Sequence, residues 1–149
     1  MIRKIFILFI VVLSSCGYEP LYSNKVSSDL SFKIIELQGN KNVNRSIISA
    51  MSFKKNSINF SHKKLTLVSK KEILETSKNE KGKPNSFKMI LELNFKIEDK
   101  QNNFKEKIVV KEFSYKNMDN KFDLSKYEMD VEDDLIDQII EEIVIYLNI

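Results

Sequence analysis

The chain has 149 residues, of which 42% are hydrophobic, and it contains three glycines and two prolines. That is enough apolar material for one core, and it excludes collagen-like, linker-rich and generally disordered classes. The formal charge of +3 hides a split: Tyr127 to Ile149 holds eight acids and no Lys or Arg, while the remainder is basic.

A split of that kind can mark an electrostatic partner. It also fits a chain-wide bias toward Lys, Asn and Ile, because only Arg3 and Arg45 among 24 basic residues are arginines. So few forked guanidinium groups argue against nucleic-acid recognition. The single cysteine, Cys16, can form no internal disulfide and no multi-cysteine zinc site. It is a nucleophile, a core residue or an attachment point.

Met1 to Lys4 carry two positive charges, and Ile5 to Leu13 form an unbroken apolar run of nine. Ser14, Ser15, Cys16 and Gly17 are small. A charged start, a short apolar stretch and a small-residue cleavage zone describe a secretory signal peptide over 1–15. Nine helical residues reach only about 14 Å, less than half a bilayer's hydrocarbon core. Residues 16–29 then read as a tether, with 30–149 as a single domain.

The domain's elements follow in order. Leu30 to Leu37 alternates apolar and polar residues and predicts a strand, broken by Gly39-Asn40. Asn42 is a candidate cap for a helix running to about Lys55, with Val43, Ile47, Ala50 and Met51 on one stripe and Ile48 beside it. Leu65 to Thr76 predicts a strand whose phase blurs after Ser69. Lys78 to Ser86 is a turn punctuated by Gly82 and Pro84. Phe87, Met89, Leu91, Leu93, Phe95 and Ile97 alternate without a break, the clearest strand in the chain. Phe104 to Tyr115 predicts another, with a bulge near Lys111 or Glu112 because Ile108 and Val110 differ in parity from Phe113 and Tyr115.

Ser125 with Glu128 fits a capping box for a helix to about Leu147, buried along Val131, Leu135, Ile139 and Ile143. The acids crowd its first half, where the helix dipole favours them. The predicted fold is α+β: a two-layer sandwich with a four-stranded, mostly antiparallel sheet, two helices on one face, and the order β-α-β-β-β-α.

No reaction type finds a set of residues arranged for it. His62 has no second ligand at metal spacing, and no Gly-rich phosphate loop or nucleophile elbow is present. The chain reads as a non-enzyme without cofactor or metal. The paired lysines Lys63-Lys64 and the turn lysines Lys78, Lys81 and Lys83 are candidate anion contacts, or simply solvated side chains.

Two stretches resemble known proteins. Leu13-Ser14-Ser15-Cys16 resembles the lipobox of bacterial lipoproteins. That resemblance implies cleavage before Cys16, a diacylglyceryl group on its sulfur and an acylated amino terminus. Gly17, rather than Asp, after the cysteine implies the outer membrane. Cys16-Gly17-Tyr18-Glu19-Pro20-Leu21-Tyr22 resembles the start of the LPS-assembly lipoproteins, the LptE family. Phe113-Ser114-Tyr115-Lys116-Asn117 before the last helix is a weaker match, with Lys116 inserted.

The family resemblance implies an outer-membrane lipoprotein facing the periplasm. It would plug, and help to assemble, the LptD-like β-barrel that translocates lipopolysaccharide, with lipopolysaccharide itself a further ligand. Two other readings compete: a lipoprotein carrying a lipid or small apolar ligand in its core, and a pilot for a different outer-membrane pore. None of the three involves nucleic acid.

Overall fold

A computed structural model describes residues 31–55, 62–101 and 103–147. The signal peptide, the lipobox, Cys16 and the tether lie outside the described residues.

The elements are β1 (Ser31–Phe32), β2 (Ile34–Gly39), α1 (Lys41–Ala50), β3 (Lys54–Lys55), β4 (Lys64–Lys78), β5 (Pro84–Glu98), β6 (Phe104–Lys116) and α2 (Lys121–Leu147). The main sheet has the order β2-β4-β5-β6, with β2 parallel to β4 and the other pairs antiparallel. β1 and β3 pair in parallel as a separate two-stranded sheet. This is the α+β order expected from the sequence, with the sheet left open at both edges.

Period-2 alternation selects the inner face. Leu65 and Leu67 of β4, with Met89, Leu91, Leu93 and Phe95 of β5, are fully buried. They meet Val43 and Ile47 of α1 and Val131, Leu135, Ile139 and Ile143 of α2 in one core. Both helices cover this face. The opposite face carries no helix among the described residues.

Several local expectations are corrected. The first strand breaks at Lys33, whose backbone N–H donates to Lys63 O at 2.9 Å. Asn40, not Asn42, caps α1: its side-chain oxygen accepts from Asn42 N at 3.0 Å and Val43 N at 3.1 Å. α1 ends at Ala50, and Lys54 and Lys55 leave it to form β3 beside β1. Asn120 likewise displaces Ser125 as the cap of α2, accepting from Phe122 N at 2.9 Å. Ser125 lies one turn inside the helix, and Glu128 is released for another contact.

The bulge near Lys111 is absent, since β5 and β6 stay in register from Ser86↔Lys116 to Glu98↔Phe104. Ile108 and Val110 simply face outward, exposed, while Val109 and Tyr115 are buried. The register shifts lie instead in β4, between Glu75, Ser77 and Lys78. The blurred phase of β4 also has a cause. Its inward parity continues through Lys71, whose ammonium meets Glu132 of α2 at 2.6 Å, with both side chains mostly buried. Lys107 and Lys111 of β6 reach Glu142 of α2 in the same way, at 2.9 and 2.8 Å. These two lysines hold the Glu142 carboxyl below its ordinary pKa. Part of the acidic run is therefore matched by lysines of the sheet beneath it.

The join from β2 to α1 is tight. Gly39 adopts φ of +85°, Asn40 N donates to Ser69 O at 3.1 Å, and Ser69 Oγ donates to Asn40 O at 3.1 Å. Asn44, buried in α1, donates to Gln38 O at 2.8 Å. These bonds lock the end of β2 against the middle of β4.

Candidate functional site

β4 is 15 residues long, and its second half, from Lys70, runs past the end of β2. At about 3.3 Å per residue it spans about 45 Å. The domain therefore has a base, where β2 and β4 start, and a distant tip at the β4–β5 turn. The five lysines singled out in the sequence divide between these ends: Lys63 and Lys64 at the base, Lys78, Lys81 and Lys83 at the tip. No single phosphate group can meet both sets.

At the tip, Asn79 organises the turn. Its Oδ1 accepts from Lys81 N and Lys83 N, both at 3.0 Å, and its carbonyl accepts from Gly82 N at 2.9 Å. Gly82 supplies the required positive φ of +76°. Lys78 is held by Glu75 at 3.3 Å, whereas Lys81 and Lys83 are exposed with no ion pair among the described residues.

At the base, Lys64 pairs with Glu36 at 3.0 Å, and Lys63 is exposed. Sequence reasoning missed what gathers round them. The β1–β3 pairing brings Lys54 and Lys55 beside Ser31 and Phe32, and the β5–β6 turn adds Lys100 and Lys105. His62 lies exposed there, its pKa lowered by desolvation and then by the charges of Lys100 and Lys33. The signal was available in principle, because parallel pairing of the first strand with β4 puts both starts at one end. A cleft of about 310 Å³ opens beside them, lined by Lys63, Ile97, Asp99, Phe104, Lys105 and Leu147. The Phe104 ring is exposed, and the Lys96 ammonium sits 4.8 Å from its centroid.

The helix-free face mixes apolar and charged groups. Ile34, Val68, Leu74, Ile108 and Val110 are exposed among ion pairs that include Lys88–Glu112 at 2.9 Å and Lys96–Glu98 at 2.6 Å. A face carrying ion pairs at this density is unsuited to burial in lipid.

The stretch Phe113-Ser114-Tyr115-Lys116-Asn117 has a structural task. Tyr115 is buried between Phe87 and Tyr127, with ring centroids 5.8 and 5.9 Å away, and its hydroxyl donates to Glu128 at 2.7 Å. Asn117 donates from its side chain to Pro84 O at 2.8 Å, closing the top of β5. Burial, then the hydrogen bond to Glu128, raises the Tyr115 pKa well above the ordinary 10.0. A group so raised contributes stability that is fully present below about pH 10 and is lost as pH rises toward the folded-state value. Tyr115→Phe is therefore expected to cost about 1 kcal/mol at neutral pH. It should also flatten the loss of stability above about pH 10, as read from urea midpoints against pH.

Among the described residues no group of three or more His, Cys, Asp or Glu is placed to hold a metal. Among the same residues no helix is long and apolar enough to cross a membrane.

No family model matches the chain, and no curated protein is significantly similar to it in sequence. Solved structures are similar. The rare lipoprotein B of Shewanella oneidensis aligns with a TM-score of 0.55 at 14% identity, covering 77% of this chain and 93% of that one. A putative lipoprotein of Caulobacter crescentus aligns at 0.53 and 12% identity, covering 76% and 86%. An uncharacterized lipoprotein B of Nitrosomonas europaea aligns at 0.50 and 14% identity, covering 77% and 81%. At these identities the likeness is one of fold, and the fold is one that occurs in bacterial lipoproteins.

Proposed function

We propose that this chain is a lipoprotein of the outer membrane, anchored through Cys16 and facing the periplasm. In this reading it acts as plug and assembly partner of an LptD-like barrel that delivers lipopolysaccharide to the cell surface. The observation that carries the reading is a coincidence. A lipobox cysteine followed by Gly-Tyr-Glu-Pro-Leu-Tyr precedes a domain whose fold is shared with proteins named lipoproteins.

The shape supports a plug. A long β4–β5 hairpin with a polar tip, and a mixed outer face rich in ion pairs, is compatible with the polar, water-filled lumen of a large barrel. The role is one of binding and positioning, not of catalysis. Tethering holds the domain at high effective concentration beside its barrel. At the tip, Lys81 and Lys83 are the lysines free to meet phosphates of a passing lipopolysaccharide.

Cys16→Ala is expected to abolish palmitate labelling and to shift the protein out of the outer-membrane fraction, since two or more acyl chains are needed for stable anchoring. In the wild type, crosslinking from the membrane should capture a large barrel protein. Depletion that leaves surface lipopolysaccharide normal would refute the plug role.

A further inference from the structure

We propose that, while no barrel is bound, the Lys-rich base of the domain docks on anionic phospholipid headgroups, setting the domain upright on the membrane that holds its anchor. The proposal rests on the reading of Cys16 as a lipid anchor.

Charge is the first ground. Residues 31–36, 54–55, 62–66, 96–101 and 103–106, which meet at the base, carry eight lysines and four acids. Glu36 and Glu98 are spent on Lys64 and Lys96, Glu106 accepts from Asn94, and Asp99 accepts from the backbone of its own turn. Lys33, Lys54, Lys55, Lys63, Lys100 and Lys105 are exposed with no ion pair among the described residues. The carbonyl ends of α1 and α2 also point toward the base, each worth about half a negative charge. Eight lysines against four acids leave a net charge of +4, which outweighs them.

Chain direction is the second ground. Ser31, the first described residue, lies at the base beside Lys54. The fifteen steps of chain from Cys16 to Ser31 reach at most about 50 Å. The described domain therefore begins on the side where the lysines gather, and a tether of this reach allows them to meet the surface they fit.

The third ground is the distribution of acids. α2 starts at the tip end, beside Tyr115, and ends at the base beside Ile97 and Phe104. Its exposed acids Asp123, Asp130, Asp133, Asp134, Asp137 and Glu141 all precede the uncharged end, Ile143 to Leu147. An anionic surface attracts the base and repels the helix flank, and the tip is the weaker competitor because Lys81, Lys83, Lys116 and Lys121 stand there among Glu80, Asp119 and Asp123. Phe104 and its cleft supply an aromatic group at headgroup depth. Attraction of this kind acts within a Debye length and is screened by salt.

The test uses the full-length protein, reconstituted in vesicles of phosphatidylcholine alone or with about one-quarter phosphatidylglycerol. A dye is placed at the base by Gln101→Cys or at the tip by Lys81→Cys, with energy-transfer acceptors on lipid headgroups. Phosphatidylglycerol should raise transfer from position 101 and lower it from position 81. Salt at about 0.5 M should erase both changes. Combined Lys54→Glu, Lys55→Glu, Lys100→Glu and Lys105→Glu should do the same while the melting curve is kept. Equal transfer in the two vesicle types, with Cys16 shown lipidated by mass spectrometry of the same sample, overturns the docking alone. An unmodified Cys16 overturns the anchor and with it the upright geometry. A response only to vesicles carrying lipopolysaccharide overturns the assignment to phospholipid.

Discussion

Gly39→Ala is expected to lower the unfolding free energy by about 3 kcal/mol or more. Two effects act together. A φ of +85° is strained for any L residue with a side chain. A Cβ there would also lie 1.8 Å from the Ser69 carbonyl oxygen and 2.9 Å from its carbon, so β2 would have to part from β4. The hydrogen bonds between Asn40 and Ser69 would then be lost as well. Gly82 is the internal control. It has a similar φ of +76° but nothing within 4 Å of a built Cβ. Gly82→Ala should cost only the conformational strain, about 1 kcal/mol. Urea unfolding midpoints of the two variants separate the clash from the strain. Equal losses would refute the close approach of β2 to β4.

Phe95→Ala is expected to cost about 3–5 kcal/mol, enough to leave a marginal domain largely unfolded. Phe95 is fully buried, and its ring lies 6.2 Å from that of Phe53, which in turn meets Phe32 edge-on at 5.3 Å. These three rings join the central strand to the small β1–β3 sheet, so the cavity would open where the base is assembled. Phe122→Ala, at a position 75% exposed, should change the midpoint by no more than about 0.5 kcal/mol. A small effect at Phe95 would mean that the β1–β3 sheet can collapse into the space.

The sequence was most legible where one periodicity held without competition. The six alternating apolar residues of β5 and the Val131-Leu135-Ile139-Ile143 stripe of α2 have one physical reading each. Legibility failed where two asparagines competed. Asn40 and Asn42 are both good caps, and only the turn at Gly39 decides for Asn40. It failed again at β6, where the parity of the apolar residues predicts a bulge that the strand does not have. Val109 points inward, but Ile108 and Val110 lie outside, and the inner face is shared by Lys107 and Lys111. Those lysines are satisfied by Glu142, a partner 31 to 35 residues away in sequence. The candidate lysines illustrate the same limit. Their pairing in sequence was visible, but their separation by the length of a strand was not. Lys33, Lys54 and Lys55 join this end through parallel pairings that no local pattern records, whereas Lys100 and Lys105 arrive through the antiparallel hairpins.

That parallel pairing bears on the order in which the domain assembles. β4, β5 and β6 are neighbours in sequence and can zip together as hairpins. β2 has no adjacent partner: Ile34 pairs with Lys64, 30 residues further on. A chain synthesised from its amino end exposes β2 before β4 exists. Its backbone N–H and C=O groups then wait on water while α1 forms from local contacts. β2 is therefore expected to dock last, because its pairing closes a longer loop than either hairpin. Gly39 and Ser69 sit at the far end of that closure, where the arriving strand is finally clasped.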